Sequence, residues 1–167
     1  MRLELKNFTQ LNEDEVALVL RWRNHASVAT FMKQKHITKQ EHLDFIESLK
    51  SDCSKEYFLV FENTIPLGVI DFIAIVRGVS CEFGVYQSPF LKGYGEKLMQ
   101  KVLDYAFKTL RVKELRACAF NVNTRAIDLY LRFGFKIIRK DETMSYFICA
   151  GGGLNFNYSC LGYGVAA

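Results

Sequence analysis

The stretch from Cys81 to Leu110 constrains the fold of this chain more than any other, because it joins a strand pattern to a long helix pattern. Apolar side chains at positions 81, 83 and 85 alternate with the residues between them, and this period of two predicts a strand. From Gly95 onward apolar residues recur at every fourth position, which predicts a helix with one buried face. The segment Lys92-Gly93-Tyr94-Gly95 connects the two. We therefore expect a strand, a tight turn and an amphipathic helix at the centre of the fold.

The connecting turn has the composition of an anion-binding site. Gly93 and Gly95 let the backbone come close to a ligand, and the first N–H groups of a helix have no intrahelical acceptor. Together with the positive end of the helix dipole, these donors suit a phosphate group. A glycine-rich connection without any ligand gives the same pattern, so the turn by itself leaves both interpretations open.

A second motif lies further along the chain and reads Asn123-x-x-Ala126-x-x-x-Tyr130-x-x-x-Gly134-Phe135. Its spacing places Asn123, Ala126 and Tyr130 on one helical face and ends the helix at a glycine. This motif follows the strand, glycine turn and helix described above. The combination resembles the GCN5-related N-acetyltransferase (GNAT) superfamily.

The resemblance covers most of the chain, from Leu3 to about Ile148, and departs from the family at Phe90, where Gln or Arg is common. It implies an α/β fold with a mixed sheet of about seven mostly antiparallel strands, splayed at a central parallel pair and flanked by four helices. The GNAT domain is expected over residues 1–149. Residues 150–167 are then a glycine-rich extension whose origin the sequence leaves open.

Local patterns predict the remaining elements of the fold. Asn12 and Thr38 each precede a glutamate by three positions, as in the capping boxes that begin helices. Alternating or continuous apolar runs predict strands over residues 3–8, 57–61, 67–73, 115–120, 135–138 and 146–149. The last two strands are expected to form a hairpin.

Length, charge and cysteine content set the class of protein. At 167 residues the chain is long enough for one domain with a single core. Its formal charge of +4 is too small to indicate nucleic-acid binding, yet it suits an anionic ligand such as coenzyme A or a nucleotide-linked sugar. The five cysteines are an odd number without a C-x-x-C pair, so we expect reduced thiols and no metal site. No apolar run has the length of a membrane span, and we expect a cytoplasmic protein.

The resemblance implies acetyl-CoA as the acetyl donor and gives a role to several residues. A backbone N–H near Gly84 would meet the thioester oxygen, while the pantetheine arm would lie along the strand. Tyr130 would protonate the departing thiolate, although a tyrosine packed in the core gives the same helical pattern. The residues expected to bind acetyl-CoA are Gly84, Val85, Tyr86, Lys92, Gly93, Tyr94, Gly95, Glu96, Lys97, Asn123 and Tyr130.

The catalytic base is less clearly indicated by the sequence. Glu82 lies on the same side of its strand as Tyr86, so it is our candidate for direct or water-mediated proton removal. A carboxylate held in a salt bridge on the sheet face is the alternative. His25 and His42 are rival bases, because the ordinary pKa of histidine suits the task.

The N-terminal half indicates the acceptor. Its segments W-R-N-H, F-M-K-x-K-H-I, E-H-L-x-F-I, Y-F-L-V-F and G-V-I-D-F resemble the GNAT branch that serves pseudaminic acid biosynthesis and flagellin glycosylation. That branch acetylates the 4-amino group of a UDP-linked 4-amino-4,6-dideoxy sugar. The resemblance places Arg23, His25, His42 and Tyr86 in the acceptor site, with the loop that carries Lys33 and Lys35 near the diphosphate or uridine. A histidine in an apolar helical stripe is more often a core residue, so both interpretations of His42 stay open.

Two other functions are compatible with the same patterns. A protein N-terminal acetyltransferase of the ribosomal-protein type would share the coenzyme A motifs and hold a peptide instead of a sugar. A binding module without turnover would also share them. We expect no nucleic-acid or membrane partner, and the sequence leaves the oligomeric state open, a homodimer included.

Overall fold

The computed structural model describes residues 2–151, which fold into one seven-stranded sheet with helices on both faces. The strands are β1 (Leu3–Asn7), β2 (Glu56–Glu62), β3 (Ile65–Val76), β4 (Ser80–Gln87), β5 (Glu114–Phe120), β6 (Lys136–Lys140) and β7 (Met144–Ala150). The helices are α1 (Glu13–Asn24), α2 (Ala26–Ala29), α3 (Lys39–Leu49), α4 (Gly95–Asp104) and α5 (Thr124–Arg132). Residues 152–167, where we predicted most of the glycine-rich extension, lie outside the described residues.

The sheet has the strand order β1-β2-β3-β4-β5-β7-β6, and β4 and β5 are its single parallel pair within the described residues. This pairing is short, since it joins only residues 80–82 of β4 to residues 114–116 of β5. Beyond it, β4 continues along β3 up to Gln87, while β5 continues along β7. The two central strands therefore part from each other over their second halves, as predicted.

The long predicted helix forms and packs on one face of the sheet. Leu98, Val102 and Ala106 are fully buried, and Leu110 is nearly so, because the four-residue spacing keeps them on one side. The helix continues past α4 as a π-helical turn over Tyr105–Thr109. Together with α5, this helix covers the face that carries the larger hydrophobic cluster.

The opposite face of the sheet carries a smaller core under α1 and α3. Both helices begin with the capping boxes expected from the sequence: Asn12 with Glu15, and Thr38 with Glu41. Residues packed there are Phe8, Val19, Trp22, Leu49, Leu59 and Val69. Helices α1 and α3 cover this side of the sheet. We call it the acceptor-side face, because the sequence predicts that the acceptor binds there.

The structure differs from the predicted elements in three places. The one-turn helix α2 follows α1 directly and makes five α-helices instead of four. Phe8 does not extend the first strand but begins a 3-10 turn. The final hairpin forms, yet β7 returns between β5 and β6, so that β6 is an edge strand with exposed residues only.

Candidate active site

The gap between β4 and β5 is the centre of the candidate site. From Phe83 to Gln87, β4 is hydrogen bonded to β3 on one side, and on the other side no strand of residues 2–151 pairs with it. Such an open strand edge presents backbone donors and acceptors to an extended ligand. A thin, flexible chain of amide groups could therefore lie along β4 as if it were an added strand.

The turn after β4 connects this strand to the start of α4. Its shape is held by the Gln87 side chain, which donates to the carbonyl of Leu91 at 2.8 Å and accepts from the N–H of Tyr94 at 3.3 Å. Gly93 has a φ of +83°, a conformation that favours glycine. The sequence did not point to Gln87, since a single glutamine after a strand carries no recognisable signal.

The first turn of α4 presents unpaired backbone donors. Tyr94 precedes the helix without a side-chain cap, and within residues 2–151 no intramolecular acceptor meets the N–H groups of Gly95, Glu96 and Lys97. A side chain at Gly95 would find the nearest atom of Leu129 at 3.6 Å, so the protein itself leaves room there. These N–H groups and the helix dipole are the features on which the prediction of an anion site rests.

The charged side chains of this turn are already paired with other elements. Glu96 forms an ion pair with Arg132 of α5, and Lys97 pairs with Glu62 of β2 at 2.7 Å. Lys92 is exposed at the turn. Asn123 begins α5, where its side chain accepts from the N–H of Ala126 at 3.3 Å. The pairs join α4 to its neighbours and leave anion binding chiefly to the backbone.

Tyr130 of α5 lies in the wedge between the parting strands. It is 4% exposed, and its ring packs against Phe83 of β4 at 5.2 Å and Phe147 of β7 at 5.3 Å between centroids. Burial raises the pKa of its hydroxyl, and the nearby Cys118, Asp71 and Glu82 raise it further. Those three residues project from the other face of the sheet, and the raised pKa keeps the hydroxyl protonated at neutral pH.

The acceptor-side face of the sheet brings together several polar side chains from neighbouring strands. Asp71 of β3 lies opposite Tyr57 of β2 and Gly84 of β4. Glu82 and Tyr86 flank Gly84 on the same face, because alternate residues of a strand share a side. Glu82, our predicted base, therefore does face the same way as Tyr86, and the thiol of Cys118 on β5 donates to its carboxylate at 3.5 Å.

Asp71 was not singled out in the sequence, where it appears as one polar residue in an apolar strand. Burial raises the pKa of Asp71 to about 7, the nearby Glu82 charge adds to the shift, and a backbone hydrogen bond from Gly84 opposes it. A carboxyl group with such a pKa exchanges its proton at neutral pH. The alternation in G-V-I-D-F could have placed Asp71 on this face, but only the pairing of β3 with β4 puts it beside Glu82.

Arg23 extends from α1 to the same face. Its Nη2 donates to the carbonyl of Gln34 at 2.7 Å, while its buried Nη1 has no hydrogen-bond partner within residues 2–151. Its charge interacts with the hydroxyls of Tyr57 and Tyr86. Beside it, Lys35 donates to the carbonyl of Thr30 at 2.7 Å. A guanidinium group with a free donor is suited to bind an anionic oxygen.

The two histidines predicted for the acceptor site have different positions. His42 is 2% exposed and its Nε2 donates to the carbonyl of Val16 at 3.2 Å, so it joins α3 to α1 inside the protein. Burial lowers its pKa. This geometry corrects the assignment of His42 to the substrate site or to base catalysis: it is a core residue with its hydrogen bond satisfied.

His25 is partly exposed at the junction of α1 and α2. Its Nδ1 accepts from the N–H of Ser27 at 3.2 Å, which caps α2. Its ring meets the ring of Phe90 edge-on at 5.4 Å, and Phe90 is 74% exposed in the turn that precedes α4. His25 therefore lies between the turn that precedes α4 and the acceptor-side face.

A comparison with known proteins agrees with this geometry. The acetyltransferase (GNAT) domain family matches residues 2–136. The chain belongs to the GNAT acetyltransferase family. The chain is 46% identical to the acetyltransferase PseH of Campylobacter jejuni strain 81-176. The match extends over 147 residues, which are 88% of this chain and 92% of PseH.

Solved GNAT structures give the same result. The C. jejuni N-acetyltransferase PseH in complex with acetyl coenzyme A is 39% identical, with a TM-score of 0.78 over 90% of this chain and 100% of that chain. The Vibrio cholerae spermidine N-acetyltransferase in complex with CoA and spermine also has a TM-score of 0.78, over 89% and 95% of the two chains. At 18% identity, the latter shows the GNAT fold alone.

The predictions of a GNAT fold and of an acetyl-CoA-dependent N-acetyltransferase are confirmed. Two further findings concern membrane-spanning helices and the cysteine thiols. None of the helices within residues 2–151 combines the length and the apolar character needed to cross a membrane. Four cysteines in that range, Cys53, Cys81, Cys118 and Cys149, are free thiols.

Proposed function

We propose that this enzyme transfers the acetyl group of acetyl-CoA to the 4-amino group of a UDP-linked 4-amino-4,6-dideoxy sugar in pseudaminic acid biosynthesis. The observation that carries the proposal is the 46% identity to acetyltransferase PseH along nearly the whole of both chains. The five N-terminal segments that resemble this branch lie at the end of α1, in the loop of residues 31–37, in α3, in β2 and in β3. We keep the cytoplasm as the predicted location, since acetyl-CoA is the co-substrate.

The acetyl donor is proposed to bind between the α4 turn and the open edge of β4. The N–H groups of Gly95, Glu96 and Lys97 would donate hydrogen bonds to the pyrophosphate, with Lys92, Gly93 and Tyr94 shaping the turn. The pantetheine arm would lie beside Gly84, Val85 and Tyr86, where β4 has no partner. Asn123 acts indirectly, because it begins the helix that carries Tyr130.

The sugar nucleotide is proposed to bind on the acceptor-side face. Arg23 has a buried, unpartnered donor there, which suits a phosphate oxygen, and the loop with Lys33 and Lys35 adds positive charge. Tyr86 would line the sugar pocket, and His25 would lie at its mouth. Both co-substrates are bound together, and the amine attacks the thioester directly.

Tyr130 is proposed as the acid of the reaction. When the carbon–sulfur bond breaks, the sulfur gains negative charge and needs a proton. The Tyr130 ring lies between Phe83 of β4 and Phe147 of β7, and the raised pKa of its hydroxyl keeps the proton available. A backbone N–H of β4 near Gly84 would stabilise the carbonyl oxygen as it becomes negative.

The test is a product assay with a panel of acceptors. The purified protein is incubated with acetyl-CoA and either UDP-4-amino sugars or peptides with free N-termini, and the products are identified by mass spectrometry. Acetylation of the sugar amine alone is the expected result. Acetylated peptides with unchanged sugars would replace the proposal by protein N-terminal acetylation, and coenzyme A binding without turnover of any amine would exclude catalysis.

A further inference from the structure

A carboxylate that the sequence did not single out lies at the centre of the acceptor-side face. Asp71 is opposite Gly84 in the register of β3 and β4, and the missing side chain of Gly84 makes the room that it occupies. A Cβ atom at position 84 would lie 2.4 Å from Oδ2 of Asp71 and 3.0 Å from its Oδ1. A glycine within a strand destabilises the fold relative to alanine, because it loses more backbone freedom on folding. The fold thus makes space for this carboxylate beside the open edge of β4.

Asp71 has no cationic partner within residues 2–151. Neither Asp71 nor the nearby Glu82 takes part in any of the ion pairs of those residues. A partly buried carboxylate without a countercharge is destabilising, because burial removes water from the charged form. Such groups are usually kept for a function that requires proton exchange.

The groups that face Asp71 come from four elements. Tyr57 projects from β2, Glu82 and Tyr86 project from β4, Arg23 reaches in from α1, and Tyr130 lies across the gap on α5. Of these, Glu82 has the strongest charge effect on Asp71, and it favours the protonated form. The proposed acid Tyr130 is coupled in turn to both carboxylates. Tyr130, Asp71 and Glu82 therefore lie near one another, close to the point where β4 and β5 separate.

We propose that Asp71 is the catalytic base that takes a proton from the ammonium group of the acceptor, with Glu82 as the second carboxylate that holds this group. The inference rests on the proposed function in that it needs an amine acceptor at this face. Glu82, which the sequence suggested as base, accepts from the Cys118 thiol. For Asp71, the donor found within residues 2–151 is the Gly84 backbone.

The proton transfers balance as follows. The ammonium group gives one proton to the Asp71 carboxylate and becomes a neutral amine. The lone pair of this amine then forms the bond to the thioester carbon, and the carbon–sulfur bond breaks. The sulfur takes the Tyr130 proton, and the nitrogen loses its extra proton, which restores the tyrosine hydroxyl. Asp71 returns its proton to water when the product leaves.

The first test measures kcat/KM against pH in three enzymes: wild type, Asp71→Asn and Glu82→Gln. Asparagine fills the same space above Gly84 and cannot take a proton, so kcat/KM should fall by roughly 10²–10⁴-fold. The acidic limb with an apparent pKa of about 7 should disappear, whereas the limb due to the substrate amine stays in every enzyme. Glu82→Gln removes a like charge, so it should keep the limb and move it to lower pH.

Controls separate this role from a structural one. Acetyl-CoA affinity, measured by calorimetry, should stay within a few fold in Asp71→Asn, and the exposed Asp44→Asn substitution should leave the profile unchanged. A second readout needs no activity: the carboxyl carbon of Asp71, assigned by its loss in Asp71→Asn, should titrate near pH 7 in ¹³C NMR spectra.

Two results would overturn the inference. One is a folded Asp71→Asn enzyme with kcat/KM within threefold of wild type and an unchanged acidic limb. The other is a carboxyl titration near the ordinary value of about 4. The wild-type product assay distinguishes these from failure of the proposed function. If only peptides are acetylated, the sugar assignment fails, and Asp71 is then tested with the peptide as acceptor.

Discussion

Replacement of Tyr130 by phenylalanine removes one hydroxyl from the gap between β4 and β5 and leaves the ring in place. The ring contacts that hold it, to Phe83 at 5.2 Å, Phe147 at 5.3 Å and Phe135 at 5.9 Å between centroids, are available to phenylalanine as well. The hydroxyl makes no hydrogen bond within residues 2–151. Tyr130→Phe should therefore change the free energy of unfolding by less than about 1 kcal/mol.

The effect on turnover should be much larger. A positioned acid typically contributes 10²–10⁴-fold to the rate, which corresponds to about 3–5 kcal/mol of transition-state stabilisation. We therefore expect kcat of Tyr130→Phe to fall by roughly that factor, and the alkaline limb of the kcat profile to shift or vanish. Acetyl-CoA affinity should stay within a few fold, because the proposed contacts of that ligand are chiefly backbone groups of β4 and α4.

Tyr105→Phe is a matched control at the other end of the same face. The Tyr105 hydroxyl donates to the carboxylate of Glu56, and its ring packs against Phe58 at 4.9 Å and Phe72 at 5.0 Å. Loss of a hydrogen bond to a charged group should cost about 1.5–3 kcal/mol of stability and leave kcat unchanged. Both variants are assayed for kcat, acetyl-CoA affinity and thermal unfolding. A Tyr130→Phe enzyme with kcat within threefold of wild type would refute the acid role.

Three further substitutions test other parts of the site. Gly95→Ala has space in the fold, since the new Cβ would meet only Leu129 at 3.6 Å, so the melting temperature should not change. The Kd for acetyl-CoA should rise at least tenfold, which is about 1.4 kcal/mol. An unchanged Kd by calorimetry would place the pyrophosphate elsewhere. Arg23→Met should raise KM for the sugar nucleotide at least tenfold and spare acetyl-CoA binding, and a wild-type KM would contradict the diphosphate contact. Asp71 has a folded-state pKa of about 7, which is above its unfolded value. The stability that comes from its protonation is fully present below about pH 4 and is lost as pH rises through 7. Asp71→Asn should accordingly be more stable than wild type at pH 8, by at most about 4 kcal/mol, and similar at pH 3; equal melting temperatures at both pH values would argue against the shift.

Much of the fold follows from local patterns that the sequence displays directly. The four-residue spacing after Gly95 buries one side of α4, and the capping boxes at Asn12 and Thr38 begin α1 and α3 at the expected residues. These signals are readable because helix period, strand alternation and capping depend on residues within a few positions of each other. The glycine turn and the Asn123 motif are local in the same sense.

Other features follow only from contacts between distant segments. The alternation of β6 and β7 predicts a hairpin but does not tell which strand joins β5, and the four-residue helix α2 has too few residues for a periodic signal. His42 lies in an apolar stripe that is compatible with a core or a pocket position. Its hydrogen bond to Val16 decides for the core, because α1 covers that side of α3.

The sequence by itself therefore determined the local elements, the glycine turn before α4 and the family, since each depends on neighbouring residues or on a motif of fixed spacing. Tertiary structure decided which side chains meet. The register of β3 on β4 sets Asp71 above Gly84, and the packing of α5 on the sheet sets the Tyr130 ring against Phe83 and Phe147. Strand pairing and burial are set by the whole chain, and the raised pKa values of Tyr130 and Asp71 depend on that burial.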